Sequence, residues 1–117
     1  MKSGRGKYTG LTSDTRPVRR PRNGARRPCV VVQNDVFNQS VIATSVVCLI
    51  TSNLSRANAP GNVLLKKGEA SLAKASVVNV SQILTVDKAE LVDCTGKLSG
   101  TAARAVCDGL HLLLDRF

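Results

Sequence analysis

Apolar positions in this chain come in short, β-branched bursts separated by polar turns, and only the C-terminal stretch switches to a helical spacing. Cys29-Val30-Val31-Val32 is continuously apolar and predicts a buried strand, ended by a turn at Gln33-Asn34-Asp35. Val41 to Thr51 predicts a second, central strand, marked by Val41, Ile42, Val46, Val47, Leu49 and Ile50. Ser52 to Gly61 is polar and contains the turn pair Pro60-Gly61. Val63-Leu64-Leu65 predicts a third strand, closed by Lys66-Lys67-Gly68. Ser76 to Leu84 alternates partly, with Val78, Val80 and Leu84 on one parity and Val77 and Ile83 on the other, which suits a twisted or closed small sheet. Asp87 is placed as an N-cap with Glu90 three positions on, predicting a short helical turn. Thr95-Gly96-Lys97-Leu98 can form a last short strand. Ser99 then caps a helix running to about Asp115, whose Ala103, Val106, Leu110, Leu113 and Leu114 predict one stripe packed on the sheet. Short strands followed by a helix predict an α+β domain: a small barrel-like antiparallel sheet with a C-terminal helix.

The first 28 residues break this pattern. They are rich in Arg, Pro, Gly, Ser and Thr without periodicity, so residues 1–25 are predicted to be a basic, irregular, poorly packed leader and residues 26–117 the folded domain. The chain carries a net charge of +9, but its distribution is uneven. Lys2, Arg5, Lys7, Arg16, Arg19, Arg20, Arg22, Arg26 and Arg27 face a single acid, Asp14, in the first 28 residues, which leaves the body nearly neutral. A basic arm can bind phosphate without sequence preference, and a solvated tail has the same composition, so charge alone does not decide. No apolar run approaches the ~20 residues of a membrane span. No apolar stretch follows the basic N-terminus as a secretory signal requires, so a cytoplasmic, membrane-free protein is expected. The four cysteines, Cys29, Cys48, Cys94 and Cys107, fit no metal-ligand spacing. Cys29 and Cys48 in apolar runs and Cys107 on the helix are expected to act as small, reduced core residues.

Signature motifs of the phosphate-loop, nucleophile-elbow, zinc-protease and dinucleotide-binding enzymes are missing. The single histidine, His111, lies between Leu110 and Leu112 on the predicted helix, which rules out a ribonuclease working by paired histidines. Acid–base work must then come from Arg, Thr, Ser, Asp, Gln or bound water, and no cofactor or metal is expected. Three polar spots stand at the ends of apolar strands: Arg26-Arg27-Pro28, Thr51-Ser52-Asn53, and Ser81-Gln82 after Val80. Each alone reads as an ordinary loop entry. If neighbouring strand ends meet on one rim, however, an arginine, a hydroxyl and an amide would form a phosphate-binding cleft.

At these same places the chain resembles the MazF/PemK family of toxin endoribonucleases. Arg27-Pro28-Cys29-Val30-Val31-Val32-Gln33-Asn34-Asp35 resembles the family's Arg-Pro strand and following turn, and Ile50-Thr51-Ser52-Asn53 the end of its central strand. Ala59-Pro60-Gly61-Asn62-Val63 looks like the next loop, as found in an actinobacterial-type branch. Ser76 to Ile83, Thr85-Val86-Asp87-Lys88, Leu98-Ser99 and the Leu-rich tail follow in order, so the resemblance runs nearly without gaps from residue 26 to 117. It implies the small SH3-like barrel shared with gyrase-poison toxins. It also implies sequence-selective, metal-independent cleavage of single-stranded RNA, in which the ribose 2′-hydroxyl attacks the adjacent phosphorus. Arg27 and Thr51 are the catalytic pair on this resemblance. Arg26, Asn34, Ser52, Asn53, Asn79, Ser81 and Gln82 are the implied RNA contacts. The implied partners are a second copy of the chain and a MazE-type antitoxin with an acidic tail.

Residues 1–25 do not match the family's opening strand and Gly-Ser-Glu loop as written. Codons read from the third base of Lys7 onward nevertheless permit Ile-Tyr-Trp-Ala-Asp-Leu-Gly through Asp14, and those of Pro17 to Arg19 permit Gly-Ser. The expectation is a one-nucleotide shift near the start with a compensating shift between about Arg19 and Arg27. Such a leader would impair the toxin and make its basic charge incidental. Two other readings stay open at this stage: a non-catalytic nucleic-acid-binding barrel (RNA or DNA), and a gyrase-poison toxin of the same fold. Stacking platforms for bases need exposed aromatics, and only Tyr8, Phe37 and Phe117 are present.

Overall fold

The computed structural model describes residues 14–19, 26–91, 94 and 96–116, leaving aside the side chains of 14–19 and 26. Eight elements in chain order build it: β1 (Asp14–Arg19), β2 (Arg26–Val31), α1 (Asp35–Asn38), β3 (Thr44–Thr51), β4 (Val63–Leu65), β5 (Ser76–Asp87), β6 (Gly96–Lys97) and α2 (Gly100–Leu114). Short 3₁₀ turns at Leu54–Asn58, Glu69–Ser71 and Lys88–Glu90 join them. The strands form one antiparallel sheet in the order β4-β5-β3-β2-β1-β6.

The continuous apolar runs of β2 and β3 have a direct cause, since the sheet is covered on both faces there. Alternate residues divide between two clusters. Val30, Cys48 and Ile50 join Leu65, Val78, Val80 and Leu98 with Ala103 and Val106 of α2. Cys29, Val31, Val47 and Leu49 join Val86 on the other side. Cys29 and Cys48 are fully buried, as their apolar neighbours predict. β4 is followed by the turn Glu69–Ser71, whose Ala70 carbonyl sits so near Gly96 of β6 that a Cβ there would overlap it. Glu69 Oε2 also accepts from the Ser99 N–H at the start of α2. The two ends of the strand order thus approach one another through this turn.

Several sequence expectations are corrected. A regular strand, β1, lies inside the stretch read as irregular leader, pairing Thr15 with Val30 through Arg19 with Arg26. The rest of that leader falls outside the described residues. The central strand starts at Thr44, not Val41, because the preceding segment is a surface loop in which Val41 and Ile42 are exposed. The turn at Gln33-Asn34-Asp35 leads into α1, with Asn34 as its cap. Four residues of β5, Asn79 to Gln82, stand opposite the single Leu49 of β3, between the pairs Ile50–Val78 and Cys48–Ile83. This wide bulge explains the broken alternation in β5. On α2, Ala103, Val106 and part of Leu110 face the sheet, whereas Leu113 and Leu114 are exposed beyond the sheet's cover. Cys107 is exposed as well, so it is not a core residue.

Packing of α2 is tightest against the loop before β4. Gly61 takes φ +79°, which the Pro60-Gly61 turn requires, and its carbonyl lies where a Cβ on Gly109 would be. Ser99 Oγ accepts from the Ala102 N–H at 3.1 Å and caps α2 as its sequence position predicts. The Asp87 N–H likewise donates to Glu90 Oε1 at 2.9 Å.

Candidate functional site

β2 and β3 present polar residues at neighbouring ends. Their antiparallel register, Cys29 to Leu49 and Val30 to Cys48, brings Arg27 opposite Thr51 when continued to the strand ends. Thr51 in turn pairs with Val77 near the start of β5. Arg27, Pro28, Ile50, Thr51 and Ser52 line one open cleft of about 390 Å³, completed by Leu72, Ala73, Lys74 and Ser76 from the segment entering β5. The sequence expectation that strand ends meet on one rim therefore describes how Arg27, Thr51 and Ser52 lie in space.

Local hydrogen bonds set the orientation of these groups. Chain direction changes after Thr51 because Asn53 caps the 3₁₀ turn that follows, its Oδ1 accepting from Ser55 N–H at 3.2 Å and Ser55 Oγ at 2.7 Å. The Asn53 N–H donates to Thr51 Oγ1 at 3.1 Å. One lone pair of that hydroxyl is thereby occupied, and its proton remains available to an acceptor in the cleft. Ser76 Oγ donates to the Lys74 carbonyl at 3.0 Å and fixes the bend that brings Lys74 to the wall. Among the described residues no carboxylate lines the cleft, and two cationic residues, Arg27 and Lys74, share its lining with the hydroxyl residues Thr51 and Ser52. Such a lining suits a phosphate group, which takes planar guanidinium donors and a point charge together.

Other residues singled out in the sequence lie elsewhere. The side chain of Arg26 is outside the described residues. Asn34 sits at the opposite end of β2 from Arg27, and its Oδ1 accepts from Val36 N–H at 2.8 Å to cap α1. Asn53 supports the cleft's floor without lining it. Asn79, Ser81 and Gln82 occupy the β5 bulge and do not line the cleft. There they bind one another, Asn79 Nδ2 donating to Gln82 Oε1 at 3.1 Å and Ser81 Oγ to Asn79 Oδ1 at 2.8 Å. Ser81 and Gln82 remain exposed and Asn79 is buried. The bulge is also tied to the Pro60-Gly61 turn, since Asn62 Oδ1 accepts from the Val80 N–H at 2.9 Å. His111 is on the exposed face of α2. Lys74 is the cleft residue that sequence reasoning missed. Its signal was available: Lys74-Ala75-Ser76 is a polar entry to an apolar strand, the same feature that singled out Arg26-Arg27-Pro28.

A single antiparallel sheet backed by a C-terminal helix, with a cleft lined by Arg27 and Lys74 at the strand ends, defines a small α+β protein. The profile of the PemK-like, MazF-like toxins of type II toxin–antitoxin systems matches residues 11–114, and the chain belongs to that family. The match begins inside the stretch read as leader, at residue 11. The chain is 41% identical over 90 residues to the endoribonuclease MazF2 of Mycobacterium bovis, covering 77% of this chain and 79% of the relative. Its fold matches an endoribonuclease from a mycobacterial species in complex with its cognate antitoxin, with a TM-score of 0.75, 20% identity and coverage of 90% and 94% of the two chains. It also matches the MazE–MazF structure from Deinococcus radiodurans, with a TM-score of 0.70, 21% identity and coverage of 88% and 92%. At that identity the two structures speak to the shared fold.

Proposed function

We propose that this toxin is an endoribonuclease that cuts single-stranded RNA in the cleft between Arg27 and Thr51. The observation that carries the reading is that these two residues line one cleft, with no acid in its lining among the described residues, on a chain whose relatives include endoribonucleases. The ribose 2′-oxygen attacks the neighbouring phosphorus, forming the O2′–P bond as the P–O5′ bond breaks. Its proton passes to bound water, and water returns a proton to the departing 5′-oxygen. The products are a 2′,3′-cyclic phosphate and a 5′-hydroxyl. Negative charge grows on the equatorial oxygens, where the Arg27 guanidinium donates two aligned hydrogen bonds and the Thr51 hydroxyl a third. Neither step calls for a metal. The exposed Ser81 and Gln82 of the β5 bulge would read bases on the strand as it leaves the cleft. The reading includes closure of the curled sheet into an SH3-like barrel, assembly as a cytoplasmic homodimer, and neutralisation by a MazE-type antitoxin whose acidic tail competes for the cationic cleft.

The test is to incubate purified protein with mixed-sequence RNA in EDTA and map the new ends. Cuts leaving 5′-hydroxyls at a recurring short motif are expected, and Arg27→Ala should slow them roughly a hundredfold or more, as loss of an oxyanion donor does. Intact RNA, or 5′-phosphate ends, would overturn the reading.

A further inference from the structure

We propose that Lys74 forms a second phosphate subsite, gripping the backbone phosphate next to the scissile one. The inference rests on the reading of the Arg27–Thr51 cleft as the place where RNA is cut. Three observations carry it. First, the cleft of about 390 Å³ falls within the ~300–1,000 Å³ of sites that enclose whole small ligands, more than a single phosphate group fills. Second, its two cations approach from different sides. Arg27 comes from β2 and Lys74 from the segment entering β5, and β3 lies between those strands in the sheet order. Arg27 continues the register opposite Thr51, and Thr51 pairs with Val77. Two interstrand spacings, ~10 Å in all, thus separate Arg27 from the start of β5, and Lys74 precedes that start by two residues. Across that span the two side chains address successive phosphates of an extended strand more readily than they crowd onto one. Third, Lys74 is held in place but its charge is free. Ser76 Oγ secures its carbonyl at 3.0 Å, while among the described residues no acid pairs with its ammonium group.

A flexible ammonium suits this task, because a phosphate that does not react needs a point charge and no fixed donor geometry. Lys74 on this account positions the strand. It touches RNA without touching the reacting atoms.

The experiment measures binding by fluorescence anisotropy, with a labelled single-stranded deoxyoligonucleotide whose lack of 2′-hydroxyls prevents cleavage. Wild type, Lys74→Ala and Lys74→Arg are titrated over a series of KCl concentrations. A released counterion per lost contact makes the plot of log Kd against log salt shallower by about 0.7 for a single strand. Lys74→Ala is expected to show that change with at least fivefold weaker binding at low salt, spread evenly over probe sequences, and Lys74→Arg to restore both. An unchanged slope in Lys74→Ala, or a slope that Lys74→Arg leaves unrestored, overturns the subsite. Cleavage of ribo-oligonucleotide is followed in parallel. Failure of the wild type to cut RNA would sink the assignment of function, whereas the salt slope judges Lys74 separately.

Discussion

Cys48 shows how far a residue's chemistry depends on its place in the sheet. It sits on β3 in the cluster beneath α2, fully buried, and burial pushes its thiol up from 9.0 to about 11 because a thiolate there would be desolvated. Between these two values the unfolded chain loses the proton while the folded chain keeps it. Stability contributed by the neutral thiol is therefore complete below pH 9 and is lost as pH rises toward 11. The loss amounts to at most ~3 kcal/mol. Urea melts of wild type and Cys48→Ala at pH 7.5, 9 and 10 are expected to diverge in slope, with the wild type falling more steeply and the variant less stable throughout from its lost packing. Parallel pH dependences would show that the Cys48 thiol does not couple to folding. Thr51, three residues on, has the opposite setting. Its hydroxyl oxygen is engaged by the Asn53 N–H, and its proton faces a cleft open to solvent. Within one strand a buried thiol and a cleft-lining hydroxyl thus stand three residues apart.

Among the elements, α2 depends on one close approach. Placing a methyl group on Gly109 would overlap the Gly61 carbonyl, and Gly61 is itself held at positive φ against Val80. Gly109→Ala raises helix propensity by ~1 kcal/mol, but overpacking typically costs ~1–3 kcal/mol. A lower urea midpoint is expected, with a net loss on the order of 1 kcal/mol. A midpoint at or above wild type would mean that the loop retreats at no cost. Residues whose local chemistry agrees with their tertiary setting were legible in the sequence. Val30, Val47 and Val78 mark strands, Ser99 marks the start of α2, and Asp87 with Glu90 marks a turn. What was not legible depends on neighbours distant in the chain. β1 is strand because the β2 backbone offers it partners, although Pro17 and its arginines argue against it locally. Val41, Ile42, Leu113 and Leu114 look like core residues but lie beyond the sheet's edges. Arg27 and Thr51 were legible as a pair because each ends an apolar run. Lys74 joins them through a bend held by Ser76, which no periodicity announces.

At the scale of the whole molecule, the written leader offers few large apolar side chains to a core, only Tyr8, Leu11 and Val18 besides Met1 in the first 22 residues. The gene is expected to spell Ile-Tyr-Trp when read from the third base of Lys7, and a sequencing read checks this. Replacing the leader with the shifted-frame version should raise the melting temperature and the rate of RNA cleavage, because Trp and Leu would supply apolar area that the written sequence lacks. A lower melting temperature would count against the shift. The pairing of β1 with β6 has a consequence for synthesis. Asp14 meets Lys97 and Thr15 meets Gly96, so the outer edge of β1 finds its partner only roughly eighty residues after it leaves the ribosome. At ~5–20 residues per second this takes roughly 4 to 16 s. Throughout that interval a nascent hairpin of β1 and β2 carries an open edge, the feature most prone to pair with a strand from another chain. Crowded translation of one message would therefore favour entanglement between neighbouring nascent copies, and slower initiation would relieve it.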